Sequence, residues 1–240
     1  FTYNWNGNLT EEDLVTTAGA SNAVSLALQT ITQRGDTIAV ESPVYFGILQ
    51  LANSMGLRVL ELPTHPETGI EPDALKKALP QINVCLLISN FSNPMGCCMP
   101  EEHKKAVVKM LANSQIPLIE DDLYGDVFFG HSRPKPCKAF DEGGGVLWCG
   151  SVSKTLAPGY RVGWIAPGQF KQAVISRKQI HMISTPPLNQ MAIANFMENN
   201  RYENHLQKLR RELHANSLRF VQAVMDYFPE ETKIIHPQGG

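Results

Sequence analysis

The chain has 240 residues, of which 43% are hydrophobic and 18% charged, and its formal net charge is -2. The length is enough to bury a large core, and the balance excludes a disordered chain, a polybasic membrane anchor and a nucleic-acid-coating surface. No apolar run reaches the ~20 residues of a membrane span and no signal peptide is visible, so a cytoplasmic location is expected. The five cysteines, Cys85, Cys97, Cys98, Cys137 and Cys149, show no C-x-x-C spacing. They argue against a disulfide framework, and no metal site is expected, because the histidines fall in no ligand spacing either. The chain does not start with Met and stops at Pro237-Gln238-Gly239-Gly240, so both ends read as truncated.

Residues 1–12 are polar and turn-rich around Asn6-Gly7-Asn8. A short strand is expected over Asp13–Thr17, then a helix from about Asn22 to Thr32 with Ala23, Leu26, Ala27 and Ile31 on one stripe. The small residues before that helix, Gly19-Ala20-Ser21-Asn22, would expose free backbone N–H groups able to bind phosphate. Ser21 reads equally as a plain N-cap. Strand Thr37–Val40 leads into Glu41-Ser42-Pro43-Val44-Tyr45. Pro43 is placed to start the next helix, and Tyr45 reads either as a residue at the strand-to-helix mouth or as one packed on the core.

Arg58–Leu62 reads as a strand, residues 63–72 as a loop and Asp73–Leu79 as a short helix. The apolar run Val84–Ile88 is a buried strand that ends in the turn Asn93-Pro94-Met95-Gly96. A helix over Glu101–Ala112 precedes strand Ile116–Ile119 and its acidic end, Glu120-Asp121-Asp122-Leu123-Tyr124. Three adjacent carboxylates are costly unless something positive meets them. After a loop-rich stretch, strand Val146–Gly150 delivers Ser151-Val152-Ser153-Lys154. Arg161 follows seven residues later, behind the Pro158-Gly159 turn. A lysine able to form an imine and an arginine able to hold a phosphate suit pyridoxal 5'-phosphate (PLP), although a surface Ser/Lys loop has the same composition. Strand Val162–Ala166, helices at about 169–181, 187–198 and 202–227, and a strand beginning at Lys233–His236 complete the expectation.

Strands alternating with helices from residue 13 to 166 indicate an α/β fold with a mainly parallel sheet and helices on both faces. Ligands of such sheets sit beyond the carboxyl ends of the strands, where the polar residues above fall. Taken together, Gly19–Asn22, Pro43-Val44-Tyr45, Asn93–Gly96, Asp121–Tyr124, Ser151–Lys154 and Arg161 resemble the fold-type-I PLP enzymes of the aspartate aminotransferase superfamily. The wording is most similar to the aminotransferase-like domain of MocR-type regulators of the GntR family. It is carried by Leu118–Tyr124, Gly150–Trp164 and Tyr202–Arg211.

The resemblance implies an aminotransferase class I/II large domain over residues 1–200, shortened at its start. Residues 201–240 would be the connecting helix and the beginning of a truncated small domain. It implies that Lys154 forms an internal aldimine with the cofactor's aldehyde and that Asp121 pairs with the ring nitrogen. Asn93 and Tyr124 would hydrogen-bond the ring's phenolic oxygen, and Tyr45 would stack on the ring. Ala20, Ser21, Ser151, Ser153 and Arg161 would hold the phosphate. Met95 departs from the family's usual Thr. The family's arginine for the substrate carboxylate would lie past Gly240. The role implied is the effector-sensing, dimerising module of a regulator that reacts with an amino acid or amine. In such a regulator DNA is bound only by an N-terminal winged helix-turn-helix outside this chain. The alternative is a free-standing aminotransferase that moves an amino group from an amino acid to a 2-oxo acid. Both imply a homodimer and no membrane contact.

Overall fold

A computed structural model describes residues 9–240; the Asn6-Gly7-Asn8 turn lies outside the described residues. Eight strands form one sheet: β1 Val15–Thr17, β2 Thr37–Ser42, β3 Arg58–His65, β4 Gly69–Ile70, β5 Val84–Leu87, β6 Leu118–Asp121, β7 Val146–Ser151 and β8 Gly163–Ala166. Their order is β1-β8-β7-β6-β5-β2-β3-β4. The run from β7 to β3 is parallel, and β8, β1 and β4 add antiparallel margins.

The apolar residues split by the two-residue period of a strand. Ile38 and Val40 face one layer, with Ala23, Ala27 and Leu28 of helix α1 (Ala20–Ile31), Ile48 and Ala52 of α2 (Phe46–Ser54) and Val174 of α5 (Lys171–His181). Ala39, Cys85 and Leu87 face the other, with Leu75 and Ala78 of α3 (Pro72–Ala78) and Val107 and Leu111 of α4 (Glu101–Asn113). Burial on both faces is why β2, β5 and β7 read as continuous apolar runs. A smaller cluster joins Trp148 and Trp164 to Ile193 of α6 (Pro187–Glu198). The long α7 (Arg201–Tyr227) follows. No described helix is long and apolar enough to cross a membrane.

Four local expectations need correction. Pro43 does not start α2: Tyr45 is extended (φ -54°, ψ 122°), which breaks any helical run there, and the helix begins at Phe46. Ser21 is not an N-cap, because α1 starts two residues earlier than that requires and Gly19 takes the position without a side-chain cap. Residues 63–72 are not simply a loop. β3 runs through Pro63 to His65 and pairs antiparallel with β4, Thr64 opposite Ile70. Lys233–His236 forms no strand; among the described residues, the pairing near that end is an isolated bridge between Phe128 and Gly239.

Candidate active site

Strands β2, β5, β6 and β7 are parallel neighbours, so the loops after their carboxyl ends open on one side of the sheet. Those loops carry Tyr45, Asn93, Tyr124 and Lys154, with Asp121 and Ser151 as the last residues of β6 and β7. β1 and β8 bring the first turn of α1 and Arg161 to the same side. A cleft of about 220 Å³ results. Ala20, Ser21, Tyr45, Asn93, Asp121, Tyr124, Ser151, Ser153, Lys154 and Arg161 all line it, so the ten residues singled out in the sequence converge on one place. Ile88, Leu123 and Pro158 complete the wall. A roomier groove of about 440 Å³ lies beside β3 and α3, but it gathers none of these groups.

The Lys154 turn is closed by Leu156 N–H donating to the Val152 carbonyl (2.8 Å) and Ser153 N–H donating to Ser151 Oγ (3.2 Å). The Lys154 amine reaches back over the Tyr124 ring, 5.7 Å from its centroid. Asn93 Nδ2 donates to the Tyr124 hydroxyl at 3.3 Å, which leaves the phenol its own proton to donate into the cleft. Burial pushes the Tyr124 phenol up, against the opposing pull of Asn93. Tyr45 is 38% exposed and belongs to the cleft rather than the core. Its ring lies so close to Gly47 that a Cβ there would meet it at 2.4 Å.

The acidic run resolves into three separate environments. Glu120 is buried, with its carboxylate taking N–H groups from Cys137 (2.6 Å) and Lys138 (2.9 Å) and the hydroxyl of Ser89. Asp122 takes Arg133 Nη2 (2.5 Å), Trp148 Nε1 (2.8 Å) and Asn90 Nδ2 (2.9 Å). Asp121 Oδ1 is buried with no hydrogen-bond partner. Burial, followed by the neighbouring Asp122 charge, pushes the Asp121 carboxyl up to about 7. The cation that meets the run inside the protein is therefore Arg133, on Asp122. Sequence reading missed it, because Arg133 lies in the loop-rich stretch with no motif around it.

The opposite end of the cleft is built for an anion. Ala20 and Ser21 stand in the first turn of α1, where backbone N–H groups lack intrahelical partners and the helix dipole is positive. Arg161 sits beside them in a left-handed backbone conformation (φ 51°). Its guanidinium is braced on the Ala18 carbonyl (2.7 Å) and the Pro158 carbonyl (3.3 Å), and it keeps further N–H donors for the cleft.

Known proteins share both this sequence and this fold. Residues 5–240 match the model of the aminotransferase class I and II family. The uncharacterized HTH-type transcriptional regulator YjiR of Escherichia coli K12 is 39% identical over 97% of this chain, which covers 50% of that protein. The 2-aminoadipate transaminase of Thermus thermophilus is 31% identical over all of this chain, which covers 61% of it. The solved structure of LysN, an alpha-aminoadipate aminotransferase from Thermus thermophilus complexed with N-(5'-phosphopyridoxyl)-L-leucine, superimposes with a TM-score of 0.90. It is 28% identical, over 97% of this chain and 61% of its own. The chain thus spans about half to three-fifths of these relatives.

Proposed function

Because the chain belongs to the aminotransferase class I and II family, we propose that its cleft binds PLP. The observation that carries this reading is the buried, unpartnered Asp121 Oδ1 in the cleft that Lys154 shares. The Leu123 backbone N–H helps the Asp121 carboxyl but leaves Oδ1 without a partner, and a protonated ring nitrogen is the partner that atom lacks. When bound, PLP supplies an aldehyde that joins to amines and a ring that accepts electrons from an amino acid's α-carbon.

The chain's residues divide the work by position. Asp121 Oδ1 would accept the ring N–H and keep that proton in place. Tyr124 and Asn93 would donate to the ring oxygen, and Tyr45 would cover the ring face. The Ala20 and Ser21 amides, the Ser151 and Ser153 hydroxyls and the Arg161 guanidinium hold the phosphate. Charged hydrogen bonds of this kind are worth about 1.5–3 kcal/mol each, so the phosphate end supplies much of the affinity. Lys154 Nζ is the nucleophile toward the aldehyde. As a free amine, it would also be the base that takes the α-proton of an amino acid held in the cleft.

We place the chain in the cytoplasm as the effector-sensing and dimerising module of a GntR/MocR-type transcriptional regulator. Residues 1–200 are its large domain, and residues 201–240 begin the connection to a small one. Likeness to YjiR over nearly the whole chain supports this. DNA contact would then belong to a helix-turn-helix segment outside the chain. Dimerisation has support in four exposed apolar side chains within twelve residues of α5, α6 and the link between them: Ile180, Ile183, Leu188 and Met191, each at least 66% exposed. The likeness to 2-aminoadipate transaminase favours a second reading, a free-standing aminotransferase.

An absorption spectrum with PLP, repeated with a panel of amino acids, tests both. A visible band that appears with PLP and is lost in Lys154→Ala is expected. An unchanged band in that variant would sink the site. A band that shifts with one amino acid and stays there supports a sensor. Full conversion to the aminated cofactor, restored by a 2-oxo acid, supports an aminotransferase.

A further inference from the structure

One helix touches both reactive loops of the cleft from outside. His205 of α7 places Nε2 2.8 Å from the carbonyl oxygen of Thr155, the residue after Lys154. A carbonyl only accepts, so Nε2 carries the proton. Tyr202, three residues earlier and on the same face of α7, turns its phenol to the Thr155 side chain. Phe196 sets its ring edge-on to His205, with centroids 6.2 Å apart. Thr155 is only 2% exposed, so its carbonyl has little water to fall back on. Further along the helix, Arg210 Nε donates to the Asp126 carbonyl at 2.8 Å, and its guanidinium lies 4.0 Å over the Phe128 ring. That contact holds the loop that carries Tyr124. α7 therefore grips the lysine turn with one patch and the acidic loop with another.

We propose that His205 is a positioning residue for Lys154. It does not line the cleft. Acting through the Thr155 carbonyl, it holds the 152–156 turn in register with α7. A shift in how α7 seats then moves the Lys154 amine relative to Asp121 and Tyr124. The significance of Lys154 rests on the PLP reading above; the mechanical contact does not.

The test follows amide hydrogen exchange in the full chain at two reporters. Leu156 N–H is bonded to the Val152 carbonyl and Val127 N–H to the Tyr124 carbonyl, each at 2.8 Å. His205→Ala is expected to speed exchange at Leu156 about tenfold, the effect of losing one hydrogen bond, and to leave Val127 alone. Arg210→Ala should do the reverse. His205→Gln, whose amide N–H has a similar reach, should restore Leu156. Borohydride fixation of PLP on Lys154, read by mass, should slow in His205→Ala and recover in His205→Gln. Equal loosening of both reporters, no change at Leu156, or no rescue by a folded His205→Gln chain would overturn the proposal. If His205→Ala does not fold, His205→Asn shortens the reach while keeping a polar side chain, and the same outcomes apply. A wild-type chain that takes up no PLP on Lys154 defeats the cofactor reading instead, and exchange at Leu156 still decides the His205 contact.

Discussion

Gly19 and Arg161 are fitted to each other. Gly19 has φ 96° and ψ 170°, a region open to glycine and costing other residues about 1–3 kcal/mol. A Cβ there would stand 2.5 Å from Arg161 Nη2. Gly19→Ala should therefore strain the backbone and push Arg161 off the Ala18 carbonyl, with a loss of PLP affinity of about tenfold or more in an absorbance titration. Asp121 gives a prediction that needs no cofactor. Its carboxyl titrates near 7 in the fold against an ordinary 3.8. Between those values the folded chain keeps a proton that the unfolded chain releases, so stability falls as pH rises through that window. Asp121→Asn removes this slope. The variant should match wild type near pH 4 and have the higher urea midpoint at pH 8, while Glu41, pushed up to about 8 mainly by burial, adds a slope of the same sign that is smaller in the variant, because the Asp121 charge contributes to its shift. A variant less stable than wild type at pH 8 would show that the Leu123 backbone bond to Asp121 outweighs the cost of its burial. Residue types were legible here in the sequence: small residues, a lysine and an arginine around turns. Which of three adjacent carboxylates keeps an unpartnered oxygen was legible from the family resemblance and not from the residue types themselves. That depends on Arg133, Trp148 and Asn90, each on a different segment from the acidic run.

At the scale of elements, the end of β6 is held from behind by a buried polar network. Arg133 is 6% exposed and bonds both Asp122 and Asp126. Lys104 of α4 is 1% exposed and donates to Asn90 Oδ1 (2.6 Å) and the Lys135 carbonyl (2.8 Å). Asn90 in turn donates to Asp122. Arg133→Ala strands two carboxylates, and urea unfolding should show a loss of about 3–5 kcal/mol. The network determines where Asp121 points, because Asp122 is fixed on three sides next to it. The elements themselves were legible wherever both faces of a strand are covered, as at Val84–Leu87. The β3–β4 pair was not. Pro63 interrupts the apolar run and removes a ladder donor, and edge strands bury too little to show a clean period. The Ile234-Ile235 run misled in the opposite way, since an apolar pair becomes a strand only where a partner edge is free beside it.

For the whole molecule, a ligand that binds only the folded state stabilises it by mass action. PLP at about 100 times its Kd adds about 2.7 kcal/mol, which for a chain of this size raises Tm by roughly 5–10 °C. The same addition to Lys154→Ala should raise it less, and a Tm that does not move in wild type would argue against the cofactor. Sedimentation with and without PLP tests the proposed dimer directly; Ile183→Lys, at a residue 93% exposed, should weaken it without lowering the monomer's stability. The sequence by itself determined the α/β class, most of the strands and helices and the chemical character of the cleft, because apolar periods and turn residues act over a few neighbours along the chain. Only the tertiary structure decided that Tyr45, Asn93, Asp121 and Lys154 meet, that Asp121 keeps one buried oxygen without a partner and that α7 grips the lysine turn. The order β7-β6-β5-β2 places strand ends side by side irrespective of their separation along the chain, and burial then assigns each charged group the partner it can reach.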